Sequence, residues 1–315
     1  MICARVYKLK GREFICKRQD NGQMIEAFAL GTLLKKMSIV VGDYVEIEEE
    51  KGTAKILRVK DRRNEIYRLS VREKKKKISV SNVDRLAIVF SVSGKAYKRG
   101  LLDRYLARAQ QWLVPPIVIF NKMDQFSGLF DLEFEIQRLE YCKVACFQVS
   151  SKGLPFSPLG SAFGFRELQE ELAHKTVFFT GQSGVGKSTL VSSLSGGKVV
   201  LKSAPTGKMG KGIHTTTWSE IVESDNLTLI DSPGIRSFSL DDIREEELIS
   251  LFPPLLAMAR RCQFSNCTHR ISSVNCSFYS KESYSSPLEQ KIIQSYLDSF
   301  HRLLEDVKKI PSWQK

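Results

Sequence analysis

The sequence predicts a protein of several domains: a small β-barrel, then an α/β unit with a mostly parallel sheet, then a helical segment that carries clustered cysteines. Three observations predict this order. Residues 1–70 contain five short apolar stretches, residues from about 80 onward alternate apolar strands with helices, and residues 240–315 are helical around three cysteines and a histidine. A chain of 315 residues is long enough for two or three such cores.

The N-terminal stretches are apolar or β-branched and are separated by turn signals such as DNGQ and VVGDY. They read ARVYKL, REFICK, QMIEAFAL, DYVEIEE and AKILRV. Five short strands favour a closed barrel of the oligonucleotide-binding (OB-fold) type, although an SH3-like barrel would give a similar pattern. We interpret the basic segment that follows, with lysines at 74–77, as a connector that is either solvated or lies along RNA.

The charge of the chain is uneven. The formal net charge is +13; residues 1–78 hold 20 Lys and Arg against 11 Asp and Glu, and the remainder holds 28 against 24. Clustered cations gain free energy by displacing counterions from phosphates, so RNA is the expected partner. A membrane surface is disfavoured, because the basic residues lie in strand-like segments and no apolar run reaches membrane-spanning length. The N-terminus has no apolar signal-peptide core, so we expect a cytoplasmic protein.

A phosphate-binding loop is predicted at 181–188. GQSGVGKS matches G-x-x-x-x-G-K-[ST], follows the apolar strand TVFF and opens the helix STLVSSL. Its glycines let backbone N–H groups point at phosphates from a helix N-terminus. We expect Lys187 to bridge the β- and γ-phosphates, Ser188 to ligate Mg²⁺ and Thr189 to face the α-phosphate. The motif predicts a nucleoside triphosphate but does not select the base.

Two further segments belong to the phosphate side. LTLIDSPG at 227–234 places Asp231 at the end of a buried strand, where it can hold a Mg²⁺-bound water, and the Gly234 N–H can meet the γ-phosphate. In GKGIHTTTW at 210–218, Thr216 is the expected Mg²⁺ ligand of a switch that releases after hydrolysis. The choice among the threonines at 215–217 stays open, and the run could instead be an exposed strand edge.

Base recognition is predicted from two strand ends. NKMD at 121–124 follows the strand PIVIF, and FQVSSK at 147–152 ends another strand. Asp124 can accept from the N1–H and 2-amino group of guanine, whereas adenine has no matching donors. We expect Lys122 to pack over the ring, Asn121 to brace the phosphate loop, and residues 150–152 to present a backbone N–H to guanine O6.

The motifs occur in the order base, base, phosphate, switch, switch, which is reversed relative to the usual guanine-nucleotide-binding domain. Parallel strands end on the same face of a sheet, so the site depends on where strands lie and not on their order in the chain. The order therefore predicts a circularly permuted GTPase domain. The predicted GTP-binding residues are Asn121, Lys122, Asp124, Ser150, Ser151, Lys152, Gly181, Gln182, Ser183, Gly184, Val185, Gly186, Lys187, Ser188, Thr189 and Gly234. The predicted Mg²⁺ ligands are Ser188, Thr216 and Asp231.

The C-terminal segment contains a predicted metal site. Cys262, Cys267, His269 and Cys276 are spaced as C-x4-C-x-H-x6-C. Three thiolates and one imidazole form a closed tetrahedral set that is typical of structural zinc. The chain has seven cysteines, an odd number, and no predicted secretion signal, which disfavours a disulfide framework.

This motif order, between a basic barrel and a Cys/His cluster, resembles the RsgA (YjeQ/EngC) family of circularly permuted GTPases in bacterial small-subunit ribosome assembly. The resemblance covers nearly the whole chain, although the family usually has five residues between the His and the last Cys, where this chain has six. It implies docking on the small (30S) ribosomal subunit and its rRNA, with GTPase activity stimulated by that subunit, and we expect a monomer. The predicted domains are an OB-fold RNA-binding barrel at 1–72, a circularly permuted P-loop GTPase domain at 73–240 and a helical zinc-binding domain at 241–315.

The group that positions the attacking water is less evident. In Ras-type enzymes a Gln after D-x-x-G orients this water, but here the residue is Ile235, which predicts slow hydrolysis by the chain alone. His214 is the internal candidate, and the resemblance supports it; it could instead contact RNA or solvent. Two other functions stay open: a P-loop ATPase or kinase with an accidental NKMD match, and an RNA-binding assembly scaffold with little turnover.

Overall fold

The computed structural model describes residues 1–11, 13–50, 52–70, 75–93, 97–154, 156, 164–199, 219–225, 227–231, 239–240 and 242–309. These residues contain thirteen strands and eight α-helices. None of the helices in this part of the chain is both long and apolar enough to cross a membrane.

The N-terminal barrel has five strands and one short helix. They are β1 (Ile2–Lys10), β2 (Glu13–Arg18), β3 (Met24–Ala29), α1 (Gly31–Lys36), β4 (Tyr44–Glu50) and β5 (Thr53–Val59). The strand order is β1-β2-β3-β5-β4, and β4 pairs back with β1, which closes the barrel. Alternate residues such as Val6, Val45 and Ile47 are fully buried inside it. The predicted OB-type barrel is confirmed.

The basic connector contains an antiparallel hairpin that was not predicted. It consists of β6 (Glu65–Ser70) and β7 (Lys75–Ser81), which form a two-stranded sheet. Ile66 and Val80 are fully buried and pack into the core of the α/β unit. The Lys76 ammonium lies 4.5 Å from the centre of the Tyr67 ring. The lysines at 75–77 are therefore part of a strand anchored to the core, and those at 76 and 77 are exposed on it, so the expectation of a solvated or RNA-lining segment stays open.

The α/β unit is built on a six-stranded sheet. Its strands are β8 (Arg85–Ser91), β9 (Pro116–Asn121), β10 (Ala145–Val149), β11 (Thr176–Thr180), β12 (Glu220–Ser224) and β13 (Leu227–Asp231). They lie in the order β10-β9-β8-β11-β13-β12, parallel except for β12. Along β8, Ile88 and Phe90 pack into one core cluster and Val89 into another, so both faces are covered.

The sheet order shows how the reversed motif order still produces one sheet. β8, which precedes both base motifs in the chain, pairs in parallel with β11, which leads to the phosphate loop. The helices of this unit are α2 (Arg99–Trp112), α3 (Leu132–Tyr141), α4 (Phe165–Leu172) and α5 (Lys187–Leu194). The carboxyl ends of β9, β10, β11 and β13 lie on the same edge, as the permutation requires.

The C-terminal segment is helical, as predicted. Its helices are α6 (Glu245–Leu248), α7 (Pro253–Ala259) and α8 (Pro287–Lys308). Ser286 is the N-cap of α8: its side chain accepts the Glu289 N–H at 3.1 Å, and Pro287 is in the first turn. α8 packs on the α/β unit through a buried charged group on α3: Arg138 pairs with Asp103 of α2 at 3.0 Å and donates to Ser295 of α8 at 2.7 Å.

The barrel is joined to the sheet at β12. Lys8 of β1 pairs in register with Glu220, and their side chains form a 2.6 Å ion pair. Glu223 accepts from the Tyr7 hydroxyl and pairs with Lys17 at 2.6 Å. The barrel therefore contacts β12, the strand that follows the predicted first switch segment (residues 210–218) in the chain.

Candidate nucleotide site and metal centre

The phosphate loop connects β11 to α5, and two of its glycines lie where a side chain would clash with neighbouring strands. Gly181 has φ +143°, and a Cβ there would lie 2.3 Å from the Val89 carbonyl oxygen. Gly186 has φ +94°, and a Cβ there would lie 2.4 Å from Asn121 Nδ2. The tight loop therefore depends both on left-handed backbone and on the close approach of β8 and β9.

Lys187, the first residue of α5, folds back over this loop. Its ammonium donates to the carbonyls of Gly181 at 2.7 Å and Gln182 at 2.8 Å. Burial lowers the pKa of Lys187 from its ordinary value. The buried ammonium of Lys187 is poorly hydrated, so an anionic ligand would stabilise its positive charge.

The NKMD motif contacts the phosphate loop directly. Asn121 is fully buried at the end of β9, and its Nδ2 donates to the Val185 carbonyl at 2.9 Å. The Lys122 ammonium donates to the Gly184 carbonyl at 2.8 Å. Two motifs that are about sixty residues apart in the sequence therefore form one site.

The second base motif lies beside the first. The Ser150 hydroxyl donates to Asp124 Oδ1 at 2.7 Å, which orients the carboxylate. Asn121 Oδ1 accepts from the N–H of Ser151 at 3.2 Å and from its hydroxyl at 2.7 Å. Lys152 is exposed in the turn that follows. The strand ends of β9 and β10 are thus brought together, as their parallel pairing requires.

Several predicted residues lie outside the described residues. They are His214, Thr216 and Gly234, together with Ile235 and the side chain of Asp231. The backbone of Asp231 is described: it ends β13 and pairs with Glu220 of β12. On α5, Ser188 is half-buried and Thr189 is exposed, while in the loop Gln182 is half-buried and Ser183 is exposed.

One residue of the site was not predicted. The Ser193 hydroxyl, near the end of α5, donates to the Ser151 carbonyl at 2.7 Å. It joins the base loop to the helix of the phosphate loop. A single serine outside every motif gives no sequence signal, because the contact depends on how the two loops fold together.

The four predicted metal ligands lie together. The ligand atoms of Cys262, Cys267, His269 and Cys276 all lie within 4.8 Å of one another. Cys262 Sγ is 3.5 Å from His269 Nδ1 and 3.9 Å from Cys276 Sγ. Separations of this size fit a tetrahedrally coordinated ion with metal–sulfur bonds of about 2.3 Å and a metal–nitrogen bond of about 2.0 Å. The cluster could hold a metal ion, and the extra residue before Cys276 does not displace that ligand.

The surroundings of the cluster orient its ligands. His269 has φ +54°, and its ring packs edge-on against Phe278 at 5.0 Å. Burial lowers the pKa of His269, with His301 adding to the shift, which favours the neutral imidazole that a metal ligand requires. The Ser277 hydroxyl lies 3.2 Å from Cys262 Sγ and donates to the Met258 carbonyl at 2.8 Å. These residues fit a structural metal ion.

The chain is similar in sequence to a known family and to several of its members. A family model described as RsgA GTPase matches residues 59–241. The small ribosomal subunit biogenesis GTPase RsgA of Bacteroides fragilis (strain YCH46) is 34% identical over 264 residues, which are 80% of this chain and 82% of that protein. The protein of the same name from Chlorobaculum tepidum is 32% identical over 281 residues, 84% of this chain and 87% of that protein.

Solved structures share the fold. The crystal structure of YjeQ from Thermotoga maritima matches with a TM-score of 0.70 at 24% identity and covers 96% of this chain and 98% of that chain. That of YloQ, described as a circularly permuted GTPase, matches with a TM-score of 0.68 at 22% identity and covers 98% and 96%.

Fold and site together define a circularly permuted GTPase with an OB-type barrel and a Cys/His cluster. The family model covers more than half of the chain, and the relatives are more than 30% identical over four-fifths of it. The chain belongs to the RsgA GTPase family.

Proposed function

We propose that this chain binds the small (30S) ribosomal subunit and acts in its late maturation, hydrolysing GTP to GDP and phosphate. The relatives of Bacteroides fragilis and Chlorobaculum tepidum are both named small ribosomal subunit biogenesis GTPases. The observation that carries the proposal is the pair of hydrogen bonds from Asn121 and Lys122 to the carbonyls of Val185 and Gly184. They join the base motif and the phosphate loop, which supports one site for a guanine nucleotide.

Selection of guanine is the proposed role of Asp124. The hydrogen bond from Ser150 holds Oδ1, and the carboxylate keeps further lone pairs for the N1–H and the 2-amino group of the base. Adenine would leave this carboxylate without donors, at a cost of roughly 1–3 kcal/mol or more for a charged group. The P-loop ATPase alternative is therefore disfavoured.

Phosphate binding is proposed for the loop at 181–188 together with Thr189 and the Gly234 N–H. The Lys187 ammonium would exchange its contacts with the Gly181 and Gln182 carbonyls for phosphate oxygens. Ser188, Thr216 and Asp231 would hold Mg²⁺, which neutralises charge on the transferred phosphoryl group. Three oxygen donors of this kind suit a hard divalent cation.

Water positioning is proposed for His214, since Ile235 has no group that could orient a nucleophile. We propose that contact with the ribosomal subunit brings His214 into position, which would account for the slow turnover expected of the chain alone and for its stimulation by the subunit.

The other regions have supporting roles. The basic barrel at 1–72 is proposed to contact rRNA phosphates, and the cysteine cluster is proposed to hold one structural zinc ion within the helical domain at 241–315. The GTPase domain spans 73–240. We propose that the chain acts as a monomer in the cytoplasm, where its proposed ribosomal partner is assembled.

Sedimentation through a density gradient tests the partner. The chain is mixed at fixed salt with small or large ribosomal subunits, in the presence of a non-hydrolysable GTP analogue or of GDP. We expect migration with small subunits in the presence of the analogue, and weaker migration with GDP. Equal migration with both subunits, independent of nucleotide, would indicate non-specific attraction of a basic protein to RNA and would contradict the proposal.

A further inference from the structure

One hydrogen bond outside the sequence motifs joins the base loop to α5. The Ser193 hydroxyl lies 2.7 Å from the Ser151 carbonyl and 3.0 Å from the Thr189 carbonyl one turn earlier. We propose that Ser193 is a positioning residue for guanine recognition, because it fixes the direction of the Lys152 N–H that meets guanine O6. The inference rests on the proposed guanine site and adds to it a residue that no GTPase motif contains.

The base loop is a β-turn over residues 150–153, closed by a 2.9 Å hydrogen bond from the Gly153 N–H to the Ser150 carbonyl. The peptide between Ser151 and Lys152 is therefore the central peptide of the turn. Type I and type II turns differ by a reversal of this peptide, which exchanges the directions of its C=O and N–H. Type II requires a positive φ at the third residue, and Lys152 is not in the left-handed region.

The C=O and N–H of a planar trans peptide point in opposite directions. Ser193 holds the Ser151 carbonyl towards α5, so the Lys152 N–H points away from α5. The other N–H groups of the turn are engaged: that of Ser151 with Asn121 Oδ1 at 3.2 Å, and that of Gly153 with Ser150. Among the described hydrogen bonds of this turn, the Lys152 N–H is thus the donor left for the base.

Ser151 is held from two sides. Asn121 accepts from its hydroxyl at 2.7 Å, while Ser193 donates to its carbonyl. Asn121 also donates to Val185, and α5 begins at Lys187, so both partners of Ser151 are fixed to the phosphate loop. The position of the base donor is therefore set relative to the position of the phosphates.

The test compares GDP with 6-thio-GDP, which keeps the N1–H and the 2-amino group but has a weakly accepting sulfur in place of O6. Dissociation constants are measured for the full chain and for Ser193→Ala. We expect Ser193→Ala to weaken GDP about three- to tenfold, the range of one ordinary hydrogen bond, and to weaken 6-thio-GDP by less than about twofold. Ser193→Thr, which keeps the hydroxyl, should bind GDP as the unchanged chain does.

Ser192→Ala is the matched control, because it removes a hydroxyl at the adjacent α5 position, which faces about 100° away. Its GDP affinity should be unchanged. Equal weakening of GDP and 6-thio-GDP by Ser193→Ala would assign Ser193 a general structural role and overturn the inference, as would unchanged GDP affinity. If the unchanged chain binds ADP as tightly as GDP, the assignment of guanine specificity is wrong. This failure would be seen before any variant is measured.

Discussion

Gly186 lies where the base motif and the phosphate loop are in close contact. A Cβ at this position would lie 2.4 Å from Asn121 Nδ2, and its φ of +94° disfavours any L side chain. We expect Gly186→Ala to weaken GDP binding more than about tenfold, since Asn121 must move away from the loop that it holds. Isothermal titration with GDP measures this.

The matched control is Gly52→Ala, which carries similar backbone strain at φ +85° in the barrel but meets no atom within 4 Å. It should lower the melting temperature without changing GDP affinity. If Gly186→Ala bound GDP as tightly as Gly52→Ala does, the contact between Asn121 and the loop would not be essential to the site.

Asp124 allows a direct test of base selection. Asp124→Asn replaces one acceptor by an amide donor, which matches the 2-carbonyl of xanthine and mismatches the 2-amino group of guanine. We expect GDP affinity to fall about 10- to 100-fold and the affinity for xanthosine diphosphate to rise, as measured by displacement of a fluorescent nucleotide.

Asp131→Asn is the control for this change. Asp131 belongs to the same loop and accepts the Phe134 N–H at 3.0 Å as the N-cap of α3. Asparagine keeps a side-chain oxygen that can accept the same N–H, so stability should change little and the preference among bases should not change. An unchanged preference for guanine in Asp124→Asn would contradict the assigned role.

At the scale of single residues, the sequence was sufficient to predict the phosphate loop, because the ligand fixes the spacing of its residues. The interval from Gly181 to Ser188 is set by the size of a phosphate group, so a local pattern is sufficient. Ser193 was not predicted because its partner Ser151 is 42 positions away, and the contact depends on the fold. His214 and Thr216 stay predictions.

At the scale of elements, the β6–β7 hairpin shows where pattern reading fails. Its second strand reads KKKISVS, in which charged side chains obscure the alternation of a strand. The strand is stabilised by non-local contacts: Val80 packs in the core, and Val41 of the barrel forms a bridge with it. By contrast, β8 to β11 were predicted well, because strands buried on both faces are continuously apolar.

The segment that carries the metal cluster has little regular secondary structure. Residues 262–276 form turns and bends, so the ligands are the main constraint on this segment. We expect one zinc ion per chain by elemental analysis. Cys276→Ser should lose the ion and accelerate hydrogen exchange in residues 260–280, while GDP affinity stays unchanged.

Cys3→Ser, which changes a cysteine of β1 outside the cluster, should retain the zinc ion. A wild-type chain without zinc, or a Cys276→Ser variant with a full complement, would contradict the proposed centre.

The pair of Arg108 and Asp242 anchors the start of the helical segment to α2. The two groups are 2.6 Å apart and nearly buried, and Gln111 donates to the same carboxylate at 3.0 Å. Burial raises the pKa of Asp242, but the Arg108 guanidinium outweighs it, so the net pKa is below the ordinary value. The pair therefore stabilises the fold above a pH of about 4, and this contribution is lost as the pH falls through the lower folded-state pKa.

We expect Asp242→Asn to reduce the free energy of unfolding by about 3 kcal/mol at pH 7, since Arg108 is left buried and uncompensated. Urea denaturation should show that the deficit shrinks as the pH is lowered below 4. Asp225→Asn, which changes an exposed partner of Lys198, should cost little at either pH. A deficit that did not depend on pH would exclude the ionised pair as its cause.

At the scale of the whole molecule, the barrel is attached to the sheet through β12, between the first switch segment and β13. Glu220 pairs with Lys8 of the barrel on one side and with Asp231, the proposed Mg²⁺ ligand, on the other. An RNA-bound barrel is therefore one strand away from the proposed catalytic groups. This arrangement would give the proposed ribosomal partner a short physical route to the nucleotide site.

The most direct test of the account is the initial rate of GTP and ATP hydrolysis by the purified chain, alone and with small ribosomal subunits at fixed salt. We predict slow hydrolysis of GTP alone and an increase of more than about tenfold with small subunits, a reduction of the barrier by more than about 1.4 kcal/mol. ATP should be hydrolysed poorly in both cases. Tight GTP binding without stimulation would contradict the ribosome-dependent enzyme and would support an RNA-binding scaffold.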